Sequence, residues 1–262
     1  MTLPSYYITT PIYYVNDVPH IGHAYTTLAC DVMARFKRLD GYNVLFLTGT
    51  DEHGQKVEIA AGRHGLEPQV FTDQVSQNFR DLLPALDISN DDFIRTTEQR
   101  HKVSAQKMWQ KLFDNGHIYR DKYSGWYSVR DEAYFTENEL IDGKAPTGAP
   151  VSWVEEESYF FNLSKWQDKL LKFYQDNPNF IAPKSRLNEV ISFVKSGLRD
   201  LSISRTSFKW GIEVPGDTDH IMYVWLDALT NYITATDFPD ITSPKYQKYW
   251  PANLHMVGKD IL

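Results

Sequence analysis

Two histidines, His20 and His23, stand three residues apart in the run Pro19-His20-Ile21-Gly22-His23. Imidazoles at this spacing can cap a helix, ligate a metal or donate to an anion, and the flanking pattern favours the anion. Upstream, Tyr6-Tyr7-Ile8-Thr9-Thr10 is aromatic and β-branched, as suits a buried strand, and Pro11 and Asn16-Asp17-Val18-Pro19 break it. Downstream, Ala24, Leu28, Cys30, Met33, Ala34 and Phe36 recur near a 3.6-residue period until Gly41, which predicts a helix starting beside the histidines. The first N–H groups of a helix are unpaired and its dipole is positive there, so a phosphate fits. Gly22, lacking a side chain, lets a flat ring such as adenine lie against the backbone.

A second chemical cluster, Gly49-Thr50-Asp51-Glu52-His53-Gly54, follows the apolar run 43–48, which reads as a second buried strand. Alone, Asp51 suits a helix cap; beside a phosphate site it can hold an ammonium group close to the reacting atom. Asp51 and Glu52 together place a carboxylate pair at the crevice. Farther on, Trp225, Ala228, Leu229 and Tyr232 fall at i, i+3, i+4 and i+7, one face of a helix. Read alone, that face is a core stripe. The spacing of His53, His101 and His117 supports no metal site, and solvated or capping roles are expected for them.

These residues need a frame. Helical patterns over 55–64 and 68–86, a short strand over 93–97 and a helix over 98–115 closed by Gly116 alternate with the two strands. Such alternation predicts βαβ units and a parallel, Rossmann-like sheet, whose ligands sit beyond the carboxyl ends of the strands. The texture then changes. Residues 118–135 are aromatic and polar in short strand-like pieces, 143–150 is Gly/Pro-rich, 153–161 resembles a strand, and 163–175 and 184–197 resemble helices. We expect residues 1–115 to form the first half of a nucleotide-binding domain, 116–204 an insertion, and 205–262 the start of the second half. In that second half, Ile221-Met222-Tyr223-Val224 is expected to resume the parallel sheet, followed by a helix over 225–236 and a strand over 255–257.

Composition narrows the class. The 262 residues are 42% hydrophobic and 23% charged, ordinary for a globular protein with a substantial core. No apolar run is long enough to span a bilayer and the first residues carry no signal or transit pattern, so a cytoplasmic location without membrane contact is the default expectation. The single cysteine, Cys30, excludes an internal disulfide and falls at an apolar helix position, where a small buried thiol is expected. A net charge of −7 means a nucleic-acid partner needs a local basic surface. Lys184, Arg186, Lys195, Arg199, Arg205 and Lys209 are candidates for it, or for a solvated charged face.

The run from Pro11 through Ile12, Tyr13, Tyr14, Val15, Asn16, Asp17, Val18, Pro19, His20, Ile21 and Gly22 to His23 resembles the first signature of class I aminoacyl-tRNA synthetases. Residues 49–54 narrow the resemblance to the methionyl branch, and Val224-Trp225-Leu226-Asp227-Ala228 and Val257-Gly258-Lys259-Asp260-Ile261 are two further blocks in the expected order. The resemblance implies that methionine and ATP, with Mg2+, form methionyl-adenylate, and that methionine then passes to tRNA(Met). It implies that residues 12–23, with Gly258, Lys259, Asp260 and Ile261, bind ATP. His20 and His23 are implied to contact the triphosphate, and Arg205 to reach the reaction centre. It also turns the stripe into a methionine pocket: Ile12, Tyr14, Trp225, Ala228, Leu229, Tyr232 and Ile261 around the thioether, with Asp51 on the α-ammonium. The alternatives are another nucleotidyl transferase with a His-x-Gly-His site, and a catalytically silent, synthetase-like binding or regulatory module.

The sequence departs from the family at one point. Many methionyl enzymes hold zinc on Cys-x-x-Cys knuckles, whereas here Ser128 and Asp131 stand where thiolates would, and Ala145 replaces a later ligand. No structural zinc is expected, and packing of Trp126, Tyr127, Tyr134 and Phe135 is expected to hold the degenerate knuckle. The insertion has no room for a hydrolytic editing domain. A lysine-rich second signature and a helical anticodon-binding domain are expected to lie past Leu262.

Overall fold

The first strand reaches further than its apolar run. In the computed structural model, which describes residues 3–131, 133–223, 225–258 and 261, β1 (Ser5–Tyr14) continues through Pro11 to Tyr14. Proline has no N–H to give the ladder, and the strand accommodates it by a register shift between Thr9 and Ile12. The extension matters because it carries Ile12, Tyr13 and Tyr14 up to the rim of the sheet.

The chain then runs through α1 (Ile21–Leu39), β2 (Asn43–Asp51), α2 (Gln55–Arg63), α3 (Pro68–Ala85) and β3 (Asp92–Arg95). It continues through α4 (Gln99–Asp114), β4 (Ile118–Ser128), β5 (Ala133–Phe135), β6 (Ser152–Phe161), α5 (Gln167–Asp176), α6 (Lys184–Lys195) and β7 (Leu201–Ser202). Last come β8 (Ser204–Arg205), β9 (Glu213–Val214), β10 (Asp217–Met222), α7 (Trp225–Thr234), α8 (Pro244–Tyr249) and β11 (Leu254–His255). The predicted parallel sheet has the strand order β11-β1-β2-β3. The chain therefore leaves β1 in one direction toward β2 and β3, and returns on its other side as β11. That reversal is a topological switch point, where open α/β sheets form their binding crevice.

Alternation along the strands fills both faces of this sheet. Ile8, Val44 and Phe46 pack under Cys30 and Ala34 of α1, while Tyr7, Leu45, Leu47 and Ile94 pack on the other face with Tyr232 and Ala235. Burial pushes the Cys30 thiol up to about 12, which leaves it protonated and inert, the buried thiol expected. Gly49 is required where β2 meets β3: a Cβ there would stand 2.0 Å from the Ile94 carbonyl oxygen.

Two expectations fail in the later part of the chain. Ile221 and Met222 belong to β10, which pairs antiparallel with β8 and β9 in a separate three-stranded sheet. Residues 221–223 are buried, so the apolar run was real, but it does not join the parallel sheet. Residues 118–128 form one long strand instead of short pieces, paired antiparallel with β6 from Ile118↔Phe161 to Tyr127↔Ser152.

The knuckle is held differently from expectation as well. The Tyr127 and Tyr134 rings do pack, with centroids 4.7 Å apart, but the turn itself closes on polar groups. Ser128 Oγ donates to Asp131 Oδ2 at 2.9 Å, and Thr147 Oγ1 reaches the same oxygen at 2.6 Å. The Asp131 carboxyl lies below the usual range because Thr147, then Ser128, bond its ionised form. Ala145, fully packed, offers no donor atom to a metal.

Candidate active site

The histidine pair sits where β1 hands over to α1. His20 is the N-cap of α1, and its Nδ1 accepts the Gly22 N–H at 3.1 Å. His23 reciprocates: its Nδ1 accepts the His20 N–H at 3.1 Å, forming a capping box from two imidazoles. The rings stack with centroids 3.7 Å apart. Because each Nδ1 accepts, each neutral ring carries its proton on Nε2, so the pair offers two N–H donors. Burial, and then the neighbouring His20, push His23 down to about 4, which keeps that ring neutral through the physiological range. A Cβ on Gly22 would lie 2.9 Å from the His20 ring, so the glycine also makes room for the cap.

The other residues of the first signature divide by burial. Tyr13 and Val15 turn into the core with Val57, Ala61, Phe71 and Phe79. Tyr13 therefore supports His23 from the core: its ring packs on the imidazole at 4.7 Å and its hydroxyl bonds Thr27 at 2.7 Å on the next turn of α1. Asn16, Asp17, Val18 and Ile21 are exposed at the rim, with Pro19 half-buried among them. Gly258 is exposed, and Ile261 donates its N–H back to the Gly258 carbonyl at 3.1 Å. Lys259 and Asp260, expected at the adenosine, lie outside the described residues, as does Val224.

Asp51 and Glu52, expected as a pair at the crevice, separate. Asp51 is the last residue of β2, opposite Tyr14 at the end of β1. Glu52 is fully buried and takes Arg95 on both carboxylate oxygens, at 2.7 and 2.9 Å, with Thr50 and Thr97 hydroxyls at 2.6 and 2.5 Å. Successive side chains at a strand end point to opposite sides, and only Asp51 keeps the cleft side.

Between these elements lies a narrow cavity of ≈ 70 Å³ whose walls include Tyr14, Asp51, His53, Phe208, Tyr223 and Asp227. Of the residues expected around methionine, Tyr14 and Asp51 line it. Ile12 and Tyr232 meet each other in the cluster just below, against Tyr7 and Ile94. Trp225 and Ala228 are half-buried on α7, while Leu229 is 45% and Ile261 43% exposed. The stripe divides: Tyr232 packs in the core, as the period read alone would have it, while Trp225, Ala228 and Leu229 stay partly open. The buried face of α7 carries the polar Asp227, Thr230, Asn231 and Thr234 beside Tyr232 and Ile233. Arg205 does not line this cavity. It is buried, bonded to Ser202 Oγ at 2.5 Å, with its guanidinium 3.8 Å from the ring centre of Tyr223, which does line it. For the same reason it is no part of a basic surface.

His53 and His101 are not solvated caps, as expected from sequence. Both are buried, and both hold Asp227: His53 through Nδ1 at 2.7 Å and His101 through Nε2 at 2.7 Å. Burial would raise the Asp227 carboxyl, but the two imidazoles outweigh it and hold it well below the usual carboxylate range. The clue in the sequence was an aspartate in the first turn of a helix that carries no other charged residue.

With this geometry in place, the chain can be compared with known proteins. It matches the family described as tRNA synthetases class I (M) over residues 6–150 and 139–262. The chain belongs to that family. It is 68% identical to a methionine–tRNA ligase of Rickettsia conorii over 259 residues, 98% of this chain and 51% of the relative. A methionine–tRNA ligase of Rhizobium meliloti is 59% identical, with 98% and 51% covered. The chain thus spans about half the length of the curated relatives it matches. Among solved structures, Mycobacterium tuberculosis methionyl-tRNA synthetase in complex with methionyl-adenylate is 55% identical, with a TM-score of 0.95 over 99% of this chain and 52% of that one. The free-state form of the same enzyme, 53% identical over 99% of this chain and 51% of that one, gives a TM-score of 0.84. No described helix of this synthetase chain is long and apolar enough to cross a membrane.

Proposed function

We propose that this chain is the amino-acid-activating part of a methionine–tRNA ligase, which forms methionyl-adenylate from methionine and ATP and passes methionine to tRNA(Met). The observation that carries this reading is the likeness, at a TM-score of 0.95, to the Mycobacterium tuberculosis methionyl-tRNA synthetase in complex with methionyl-adenylate. The site geometry supports it. Asp51 at the end of β2 is placed to pair with an α-ammonium group, beside Tyr14 and below the partly open apolar face of α7. The methionine carboxylate attacks the α-phosphate and pyrophosphate leaves. The Nε2–H groups of His20 and His23 donate to phosphate oxygens as charge builds there, aided by the N-terminus of α1. Positioning and charge stabilisation account for the catalysis, and no covalent intermediate with the protein is needed.

In this reading residues 1–115 and 205–262 are parts of one catalytic domain and 116–204 its insertion. Gly258, Lys259, Asp260 and Ile261 hold the adenosine, and Arg205 acts on the reaction centre from beneath Tyr223. Among the described residues no group of three or more His, Cys, Asp or Glu side chains could hold a metal ion. We therefore treat Mg2+ as a companion of the ATP phosphates and derive no step through it. The Ser128, Asp131 and Ala145 set does not fit zinc. A role in protein synthesis supports a cytoplasmic location in this reading.

ATP–pyrophosphate exchange by the full-length protein, run with each amino acid in turn, tests the assignment. Exchange that depends on methionine alone is expected; exchange with no amino acid, or driven by another one, overturns it.

A further inference from the structure

Asp227 joins three elements that the sequence keeps far apart. It lies in the first turn of α7, where the helix dipole favours an anion. One carboxylate oxygen meets His53, two residues past the end of β2, and the other meets His101 in the first turn of α4. An ionised carboxylate only accepts, so His53 donates from Nδ1 and His101 from Nε2. The other ring nitrogen of His101, Nδ1, is buried without a hydrogen-bond partner, which suits a neutral ring whose single proton is committed to Asp227. His53 and Asp227 line the cavity with Asp51, whereas His101 lies behind them, fully buried and outside it.

The consequence is a fixed spacing. Trp225 and Ala228 flank Asp227 on the turn of α7 that Asp227 ties to the end of β2 and to α4. Farther along, α7 is held separately: Tyr232 packs with Tyr7 and Ile94, and the Tyr7 hydroxyl donates to the Tyr232 carbonyl at 2.7 Å, while Thr230 and Thr234 only bond carbonyls of their own helix at 2.6 and 2.8 Å. We infer that the His53–Asp227–His101 bridge is a positioning device for the amino-acid half of the site, with His101 a positioning residue that sets methionine affinity without touching methionine. This rests on the methionine-activating reading above. The bridge does not involve α1, so the ATP half carried by His20 and His23 is independent of it.

The test compares His101→Leu, which removes the donor, with His101→Gln, which keeps an N–H able to reach Asp227. In methionine-dependent pyrophosphate exchange by the full-length protein, His101→Leu is expected to raise KM for methionine roughly tenfold, the scale of one hydrogen bond to a charged group, and to leave KM for ATP within about twofold. His101→Gln is expected to return the methionine KM close to that of the unsubstituted protein. If circular dichroism shows that His101→Leu does not fold, Asp227→Asn, isosteric and with one acceptor fewer, is expected to show the same selective rise. A rise in both KM values together, an unchanged methionine KM in a folded variant, or no recovery in His101→Gln overturns the inference. Absence of methionine-dependent exchange in the unsubstituted protein overturns the parent reading, and this inference with it.

Discussion

At the mouth of the cleft, His20 and His23 use only their Nδ1 atoms, on each other's backbone neighbourhood, and keep their Nε2–H groups for something else. On and beneath its floor, Glu52, His53, His101 and Asp227 are buried and bound largely to one another or to Arg95. Histidines stand in both places. What differs is how much of each group's hydrogen-bonding capacity the fold consumes. A buried polar group must be satisfied internally, so the floor is spent on stability and geometry. The mouth leaves donors over, which is what a phosphate site needs. The contrast predicts that removing the floor carboxylate Glu52 is read in folding, that loosening the Asp227 bridge is read in methionine binding, and that removing a donor at the mouth is read in activity with stability unchanged.

The largest effect should come from the floor. Glu52→Ala removes a fully buried carboxylate, leaves half-buried Arg95 with Asp73 alone, at 2.6 Å, and strands the Thr50 and Thr97 hydroxyls that now bond Glu52. Breaking a buried pair by removing one partner costs about 3–5 kcal/mol, and because Asp73 stays on Arg95 chemical denaturation should show a loss at the lower end, about 3 kcal/mol. A loss below about 1 kcal/mol would mean that the floor is far less committed than its bonds indicate.

The mouth gives the complementary result. In His20→Asn the new side-chain oxygen can still cap α1, since asparagine is among the best N-cap residues, but the Nε2–H donor is gone. Adenylate formation should fall about 10²–10³-fold, the usual cost of losing one donor to a developing charge, while the melting temperature stays put. Activity retained, with stability lost, would assign His20 to capping and reverse the contrast.

The mouth was far more legible in the sequence than the floor, and the reason is distance along the chain. His20, Gly22 and His23 form a local pattern at a strand-to-helix junction, and their partners lie within three residues. His53 and His101 bond an aspartate 174 and 126 residues away, and no local pattern announces that. The parallel strands were legible because both of their faces are buried, which writes an apolar run into the sequence. The same rule misplaced Ile221 and Met222: they are buried too, but against β8 and β9, strands of two residues each that leave no pattern of their own. The α7 stripe was found by its period, but the role of Asp227 beside it was not, because its partners His53 and His101 lie past the end of β2 and on α4, which the period does not see.

The smallest effect separates the two regions by pH. His23 titrates near 4 in the folded protein, against about 6.5 for a free imidazole. As pH falls below 6.5 the unfolded chain therefore takes up this proton first, and the folded state loses stability down to about pH 4, where its own ring is protonated. In His23→Gln the side chain can still accept the His20 N–H but cannot titrate, so the variant should lose less stability than the unsubstituted protein between pH 7 and pH 5. Discounted for the partial exposure of the ring, the difference should be roughly 1 kcal/mol. Denaturation midpoints at the two pH values, compared between variant and parent, give this quantity free of the other histidines, whose contributions are common to both. Identical acid dependence in the two proteins would mean that His23 titrates normally, and the mouth would then carry a charged ring below pH 6.5 in place of the neutral Nε2–H donor that its stacking on His20 and Tyr13 implies.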